Sequence, residues 1–200
     1  MSPTTSPVAA IVLAAGRGTR FGEEPKLLVQ IGGKALVRHV AEAAVHSIAD
    51  PVIVVTGHRA EDVHSALLGL PVQIIHNAQF AQGLSTSLKA GSVALPDTAR
   101  AAIILLADMP FVKADLIDAL CKGWHERGEP AALIPTLKGR RGNPVVISRK
   151  LQGLIEDLSG DVGAGPILRG RSDVEEWPTD DVAVVQDIDT KETFAEHHRE

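Results

Sequence analysis

The chain has 200 residues, 44% of them hydrophobic, and a formal net charge of −5 at neutral pH. This length fits one sizeable α/β domain, and the acidic balance argues against a nucleic-acid partner. Because Cys121 is the single cysteine, no internal disulfide can form, and we expect Cys121 to be a small core or helix-surface residue rather than a nucleophile.

The N-terminal residues and the lengths of the apolar runs indicate how the chain is organised. Residues 1–7 are polar and proline-containing, so we expect a flexible tail followed by a single domain over residues 8–200. No apolar run approaches the roughly 20 residues that span a bilayer. We therefore expect no membrane partner and a cytoplasmic location.

Short apolar runs alternate with amphipathic stretches. The runs are rich in β-branched residues and too short for helices, which predicts strands buried on both faces of a mostly parallel sheet. They are 8–14, 51–56, 72–76, 101–107, 131–135 and 144–148. The stretches at 34–48, 60–68, 84–95 and 113–128 carry apolar stripes at helical spacing. This alternation predicts a three-layer α/β/α, doubly wound, Rossmann-like fold.

The C-terminal region is more irregular. We expect a helix at 161–169, one or two edge strands and a last helix from about 190. Ligands of doubly wound sheets bind at the carboxyl ends of the strands. The segments after the predicted strands, 14–26, 56–62, 77–87 and 108–112, are therefore the places to look for a site.

The stretch "LAAGRGTRFGEEPK", residues 13–26, follows the first strand. Its glycines let backbone N–H groups approach an anion, and Arg17, Arg20 and Lys26 add positive charge. The spacing fits neither a Walker A loop nor a dinucleotide-binding fingerprint. The loop therefore indicates a phosphate site of another kind.

This loop resembles the signature of nucleotidyltransferases with the glycosyltransferase-A-like fold. Further stretches resemble, in chain order, the molybdenum cofactor cytidylyltransferase and guanylyltransferase group. They are "NAQFAQGLSTSLKAG", "LLADMPFV", "GRRGNPVVISR", "GDVGAGPIL" and "DIDTKETF". The resemblance covers nearly the whole chain. It implies transfer of a nucleotide from an NTP to a phosphorylated acceptor, with release of pyrophosphate.

Asp108 directly follows the fourth predicted strand, beside the glycine loop. A carboxylate there can hold Mg²⁺, which takes oxygen ligands and bridges phosphates. The alternative is a helix cap for the helix that begins near Lys113. The resembling family uses an aspartate at this position to bind Mg²⁺ with the nucleotide. A second metal ligand is expected from Asp187, with Asp189 as a weaker candidate because it could be an N-cap.

The resemblance and the strand ends together give the expected site residues. Arg20, Lys26 and Asp108 are the expected catalytic residues. The expected nucleotide-binding residues are Leu13, Ala14, Ala15, Gly16, Arg17, Gly18, Lys26, Thr56, Asn77, Gly83, Ser85 and Asp108. For Ser85 and Gly83, an N-cap and a glycine turn are the structural alternatives.

A basic stretch, "LKGRRGNPVVIS", is expected to form a hairpin or loop facing an anionic acceptor, or a solvated turn.

In the resembling family, "LAAG" accompanies cytidine and "LAGG" guanosine, so Ala15 favours CTP. Molybdopterin is the implied acceptor, with a molybdoenzyme or its chaperone as a further partner. Asn143 departs from the histidine often found there, and Lys191 from a proline.

An attacking acceptor phosphate is already anionic near neutral pH, so the reaction needs alignment and charge neutralisation more than a general base. Two alternatives stay open. One is a non-catalytic nucleotide- or cofactor-binding protein that delivers cofactor to a molybdoenzyme. The other is a nucleotidyltransferase acting on a sugar phosphate or another small phosphorylated acceptor.

Overall fold

The computed structural model describes residues 7–18, 21 and 25–188. Most of the expected tail, Asp189 and the helix expected from about 190 lie outside these residues. Within the part described, no helix is long and apolar enough to cross a membrane.

The elements follow the predicted alternation. The strands are β1 (Val8–Ala14), β2 (Gln30–Ile31), β3 (Lys34–Ala35), β4 (Val52–Thr56), β5 (Gln73–His76), β6 (Ala101–Leu106), β7 (Ala132–Leu137), β8 (Arg140–Arg141), β9 (Val145–Ser148) and β10 (Val174–Pro178). The helices are α1 (Leu36–Val45), α2 (Ala60–Ala66), α3 (Leu84–Val93), α4 (Ala114–Glu126), α5 (Gln152–Glu156) and α6 (Gly165–Leu168).

The main sheet has the strand order β10-β7-β9-β6-β1-β4-β5, with β8 paired to β7. β1 lies at the centre and is parallel to both β4 and β6, β5 is parallel to β4, and β10 is parallel to β7. The mostly parallel, doubly wound fold is thereby confirmed. β10 is one of the expected edge strands.

β9 is the exception, since it runs antiparallel to both β6 and β7. The basic stretch after β7 forms the hairpin that was one of its two expected forms. Lys138 and Gly139 adopt positive φ angles of 50° and 79° at its tip, and β8 pairs back onto β7. A parallel neighbour would need a long crossover, whereas this tight reversal returns the chain antiparallel.

The core has two halves, one on each face of the sheet. Alternate residues of β1 point to opposite faces: Val12 joins a cluster with residues of α1 and α4, and Ile11 joins a cluster with α3, α5 and α6. This division produces the predicted three layers.

The helix expected at 161–169 is shorter, because α6 covers only Gly165–Leu168. The residues before it instead pack against the start of α3. The carbonyl of Gly160 accepts a hydrogen bond from the Ser85 N–H, and Asp161 Oδ1 accepts one from the Leu84 N–H. These two contacts hold residues 160–161 against α3 before the short helix begins.

Cys121 lies on the buried face of α4 with 1% of its surface exposed. Burial, with a smaller contribution from the nearby Asp118 carboxylate, raises the pKa of its thiol to about 12. Because the reactive thiolate is scarce below that value, the folded chain should not react with iodoacetamide at pH 8, while the urea-unfolded chain should. Equal labelling rates with and without urea would contradict this burial.

Gly91 allows α3 to pack closely on the sheet. A Cβ there would lie 2.6 Å from Ile11 Cγ2 and 3.2 Å from Val55 Cγ2. We expect Gly91→Ala to lower the free energy of unfolding by about 1–3 kcal/mol in urea denaturation, because overpacking outweighs the gain in helix propensity. Gly153→Ala is the matched control, since its Cβ meets nothing within 4 Å in α5. A Gly91→Ala protein as stable as this control would show that the packing tolerates a methyl group.

Candidate active site

The parallel register of the central strands brings their following loops together. Leu13 of β1 is level with Val55 of β4 and with Leu106 of β6. Beyond the strands, the Ala15 carbonyl accepts a hydrogen bond from the His58 N–H at 3.1 Å, and the Leu13 carbonyl accepts one from the Ala107 N–H at 3.2 Å. The glycine loop and the segment holding Asp108 therefore lie side by side.

A cleft of about 510 Å³ opens at this edge, and we call it the strand-end cleft. It is formed by residues 15–18 of the glycine loop, Lys26, residues 80–84, Ser87, Asp108 and Asp161. Its volume is in the range of small-molecule sites. Its charged lining residues are Arg17, Lys26, Asp108 and Asp161, and glycine backbone lines it as well.

Lys26 and Asp108 form an ion pair within this cleft. Lys26 Nζ donates to Asp108 Oδ2 at 2.7 Å, and the two side chains are 7% and 23% exposed. Lys26 begins a 3-10 turn after Pro25, and Asp108 follows β6. Two segments 82 residues apart in sequence thus meet through one charge-assisted hydrogen bond.

The second carboxylate oxygen of Asp108 is a candidate metal ligand. Oδ1 is buried and has no hydrogen-bond partner among the described residues. A buried acceptor without a partner is costly, and at functional sites it often marks an absent ion or ligand. Asp108 does not cap α4, whose N-cap is Lys113.

The oxygen ligands that Asp108 offers are compatible with a Mg²⁺ ion that is also bound by a nucleotide. No cluster of three or more acidic, histidine or cysteine side chains that could hold a metal occurs in the described part of the chain. Mg²⁺ is commonly held by one or two carboxylates plus substrate phosphates and waters, so a single carboxylate fits. The Ile188 N–H donates to the Asp108 carbonyl at 2.9 Å, which brings the backbone next to Asp187 close to Asp108. The Asp187 side chain itself is exposed.

The glycine loop has one constrained and one open position. Gly18 has a φ of 60°, and a Cβ there would lie 2.7 Å from Lys26 Cβ. At Gly16, by contrast, a Cβ would meet nothing within 4 Å. Gly18 therefore lets the loop fold back onto Lys26, while Gly16 presents backbone that a ligand can approach.

Phe80 gives the cleft an aromatic wall. The Arg17 guanidinium lies 5.6 Å from the centre of the Phe80 ring, within cation–π range. Gly57 makes this arrangement possible, because a Cβ there would come within 2.6 Å of Phe80 Cβ and 2.9 Å of Ala15 Cβ. Phe80 therefore places an aromatic ring in the wall of the cleft, in a chain whose aromatic content is only 3%.

The start of α3 is already capped by protein. The first N–H groups of the helix donate to Asp161 Oδ1 and to the Gly160 carbonyl. Gly83, with a φ of 110°, packs directly on the Gly160 carbonyl group. The helix N-terminus is therefore occupied by the segment 160–161, and a phosphate would have to displace that segment to reach it.

The structure brings part of the predicted residue set together. Of the residues expected from the sequence, those lining the strand-end cleft are Ala15, Gly16, Arg17, Gly18, Lys26, Gly83 and Asp108. Those described but not lining it are Leu13, Ala14, Thr56, Asn77, Ser85 and Asp187. Arg20 and Asp189 lie outside the described residues.

Several residues outside the lining make structural contacts. The Asn77 side-chain amide donates to Thr86 Oγ1 and Ser87 Oγ, and Asn77 Oδ1 accepts from the Gln79 N–H. These bonds fold residues 77–87 into a compact turn. Thr56 is 1% exposed and bonds weakly to the Ile75 carbonyl. Ser85 is fully buried, and its hydroxyl has no hydrogen-bond partner within the described chain.

Prediction from the sequence missed two cleft residues that had a visible signal. Phe80 is one of four phenylalanines and falls four residues after the predicted strand at 72–76. Asp161 lies in the "GDVGAGPIL" stretch, which carries the family resemblance without indicating a role for any single residue. Its place in the cleft depends on packing against α3, 77 residues away.

Comparison with known proteins shows the family of the chain. The model of the MobA-like NTP transferase domain matches residues 10–177. The chain is 30% identical to nicotine blue oxidoreductase of Paenarthrobacter nicotinovorans over 195 residues, which is 92% of this chain and 93% of that protein. It is 36% identical to the bifunctional protein GlmU of Anaeromyxobacter dehalogenans over 141 residues, 68% of this chain but only 29% of GlmU.

Solved structures share the fold. Rv0371c of Mycobacterium tuberculosis superposes with a TM-score of 0.82 at 23% identity, covering 97% of this chain and 99% of that one. Its complex with manganese gives a TM-score of 0.77 at 24% identity, over 96% and 98% of the chains. Molybdopterin-guanine dinucleotide biosynthesis protein A of Archaeoglobus fulgidus gives 0.73 at 19% identity, over 96% and 97%.

The fold and the site define a nucleotidyltransferase. More closely, the chain belongs to the family of the MobA-like NTP transferase domain. The resemblance stated from the sequence motifs is confirmed at this level.

The Lys26–Asp108 pair should couple measurably in the free protein. In a double-mutant cycle with Lys26→Met and Asp108→Asn, urea denaturation should give a coupling free energy of at least about 1 kcal/mol, because the pair is largely buried. The exposed pair of Arg59 and Asp62, joined at 2.6 Å, is the control and should couple by about 0.2–1 kcal/mol. A coupling no larger than that of the control would mean that the buried contact is not maintained in solution.

Proposed function

We propose that this nucleotidyltransferase joins CMP from CTP to a phosphorylated acceptor, with a molybdopterin-type compound as the acceptor, and releases pyrophosphate. One observation carries the proposal. Lys26 and Asp108 meet in a glycine-walled cleft, and the second Asp108 oxygen is buried without a partner in the described chain. A cation and a carboxylate held together beside exposed backbone suit a magnesium-bound triphosphate.

The residues of the cleft can then be given roles. Backbone N–H groups around Gly16 and Gly18 would hold the phosphates, and Lys26 would neutralise charge that develops on the α-phosphate and on the leaving pyrophosphate. Arg20, from the same loop, is proposed to assist Lys26. The acceptor phosphate attacks the α-phosphorus in line and is already anionic, so alignment replaces a general base.

Asp108 is proposed as the main Mg²⁺ ligand, with Asp187 or Asp189 as a second. Bound Mg²⁺ would supply positive charge that screens the triphosphate. The manganese complex of Rv0371c supports a divalent metal in a protein of the same fold. Lys26 would exchange its contact with Asp108 for a phosphate when the metal and nucleotide bind.

The choice of CTP rests on Ala15. Ala15 lines the cleft and is the second alanine of "LAAG". A methyl group in a backbone-lined pocket changes discrimination by only about 1–3 kcal/mol, so the preference for CTP should be graded rather than absolute. Gly83 and Ser87 contribute to the same wall.

The acceptor and the cellular context follow from the similarities. The structural likeness to a molybdopterin-guanine dinucleotide biosynthesis protein supports a molybdopterin acceptor and a molybdoenzyme or its chaperone as a partner. The similarity to part of GlmU keeps a sugar phosphate as the alternative acceptor. We propose a cytoplasmic location, where nucleoside triphosphates are available.

A second candidate function comes from the Paenarthrobacter relative, whose name describes an oxidoreductase. The glycine loop of this chain lacks a dinucleotide-binding fingerprint, and its cleft pairs a lysine with a carboxylate. The other alternative, a non-catalytic carrier of nucleotide or cofactor, would have no use for that pair.

Two measurements distinguish the oxidoreductase and the carrier from a nucleotidyltransferase: which ligand the chain binds, and whether it turns over a nucleoside triphosphate.

Nucleotide binding should appear as a metal-dependent thermal shift. CTP at 100 times its Kd should add about 2.7 kcal/mol of stability, or about 5–11 °C, and GTP, ATP and UTP should add less. The shift should require Mg²⁺ or Mn²⁺, and in Asp108→Asn it should stay small whether or not the metal is present. A shift with NADH or FAD in place of any triphosphate would favour the oxidoreductase instead.

Turnover should depend on both members of the ion pair. We expect Lys26→Ala and Asp108→Ala each to lower kcat at least about 10²-fold in a pyrophosphate-release assay. The first variant loses the cation that neutralises the phosphates, and the second loses the carboxylate proposed to hold the metal. Lys113→Ala and Asp115→Ala are matched controls, since both side chains are exposed and lie outside the cleft. Near-normal activity of either cleft variant, with a wild-type melting temperature, would show that its proposed role is wrong.

A further inference from the structure

Asp161 is a charged residue of the strand-end cleft that has no role in the proposed reaction. Its Oδ1 atom accepts a hydrogen bond from the Leu84 N–H at 3.2 Å, at the first residue of α3. Asp108 is paired with Lys26, whereas Asp161 forms no ion pair with the lysines, arginines and histidines of the described chain. Asp161 therefore brings a negative charge without a protein counter-charge to the α3 end of the cleft.

Capping α3 does not require this charge. The N-cap position is Gly83, which has no side chain, and the carboxylate comes from a residue 77 positions away. Serine, threonine and asparagine cap helices about as well as aspartate does. The first turn of α3 is also incompletely paired, since the Ser85 hydroxyl is buried and has no hydrogen-bond partner in the described chain. Helix stability alone therefore does not account for a carboxylate at this place.

The start of α3 would otherwise attract phosphate. A helix N-terminus favours anions, because its first N–H groups point outward and the helix dipole is positive there. The cleft thus has two stretches of backbone that suit phosphates, the glycine loop and the start of α3. The glycine loop packs on Lys26, because a Cβ at Gly18 would lie 2.7 Å from Lys26 Cβ. Phosphates bound at α3 instead would hold the nucleotide in the wrong direction for Lys26 and Asp108 to act on it.

We propose that Asp161 is a positioning residue. Its negative charge repels phosphates from the start of α3, so that the triphosphate lies against the glycine loop and the uncharged nucleoside lies at the α3 end. This inference rests on the proposed function, because it assumes that the cleft holds a nucleoside triphosphate. The side chain of Asp161 is exposed, so its repulsion is strongest at low salt and is screened as salt rises.

Asp161→Asn separates the charge from the cap. An asparagine oxygen can still accept the hydrogen bond of the Leu84 N–H, while the negative charge is lost. Asp157→Asn is the matched control, since Asp157 is exposed and does not line the cleft, so that the chain loses the same charge elsewhere. Both variants should melt cooperatively at nearly the wild-type temperature.

Inorganic pyrophosphate, titrated calorimetrically into each full chain without metal, reports the binding of anions. At low salt we expect Asp161→Asn to bind pyrophosphate at least about threefold more tightly than the wild-type chain, and Asp157→Asn to bind it as the wild-type chain does. Near 1 M salt, where the Debye length is about 3 Å, the difference should disappear. A purely structural role of Asp161 would give weaker binding in the variant and no dependence on salt.

Cytidine, followed by ligand-observed NMR, reports whether the α3 end is open to the uncharged nucleoside. In the wild-type chain, saturating pyrophosphate should leave cytidine binding unchanged, because the two ligands lie at opposite ends of the cleft. In Asp161→Asn, pyrophosphate can also enter the α3 end and should weaken cytidine binding at least about threefold. Without pyrophosphate, cytidine should bind the wild-type chain and Asp161→Asn equally.

The outcomes separate this inference from the proposed function. Pyrophosphate affinity that is unchanged or lower in Asp161→Asn, or raised equally in Asp157→Asn, would overturn the inference. Cytidine that does not bind the wild-type chain, or that pyrophosphate does not weaken in Asp161→Asn, would overturn it as well. Failure of a CTP analogue with Mg²⁺ to bind the wild-type chain would contradict the proposed function. A selective, salt-dependent gain in pyrophosphate binding would in that case still show that Asp161 keeps anions from α3.

Discussion

The site depends on the parallel register of three central strands. β1 is hydrogen-bonded on one side to β4 and on the other to β6, and both neighbours run in its direction. Their carboxyl ends therefore lie at one edge, where the glycine loop, Gly57 and Asp108 meet. The fold makes this edge the place where exposed backbone and charge can converge without disturbing the core.

At that edge, the contact between Lys26 and Asp108 is part of both the folded structure and the proposed chemistry. Their hydrogen bond closes the glycine loop onto the segment after β6 and satisfies one oxygen of the carboxylate. The other oxygen stays buried without a partner in the described chain, a cost that a bound cation would remove. The same pair thus stabilises the free protein and, in our account, becomes available to metal and phosphate when substrate arrives. Such partly satisfied polar groups are typical of sites shaped for a ligand.

The sequence predicted the layered fold well, because strand and helix periodicities are local properties. All six apolar runs form strands, and Asp108 was recognisable as the carboxylate that directly follows the run at 101–107. For the basic stretch after β7 the sequence predicted a hairpin or a solvated turn. The positive φ angles of Lys138 and Gly139 and the antiparallel pairing of β9 are visible only in the structure. Phe80 was missed although it lies in a segment that follows a predicted strand, whereas Asp161 was missed because its place in the cleft arises from long-range packing against α3.

The most direct test of the central claim is a crystal structure grown with Mn²⁺ and a non-hydrolysable CTP analogue, with anomalous scattering to locate the metal. We expect a manganese peak bonded to the Asp108 carboxylate, phosphates against the loop at Gly16 and Gly18, and Lys26 Nζ moved from Asp108 to a phosphate oxygen. Phosphates bound elsewhere, or a manganese ion distant from Asp108 with the Lys26–Asp108 pair intact, would contradict it.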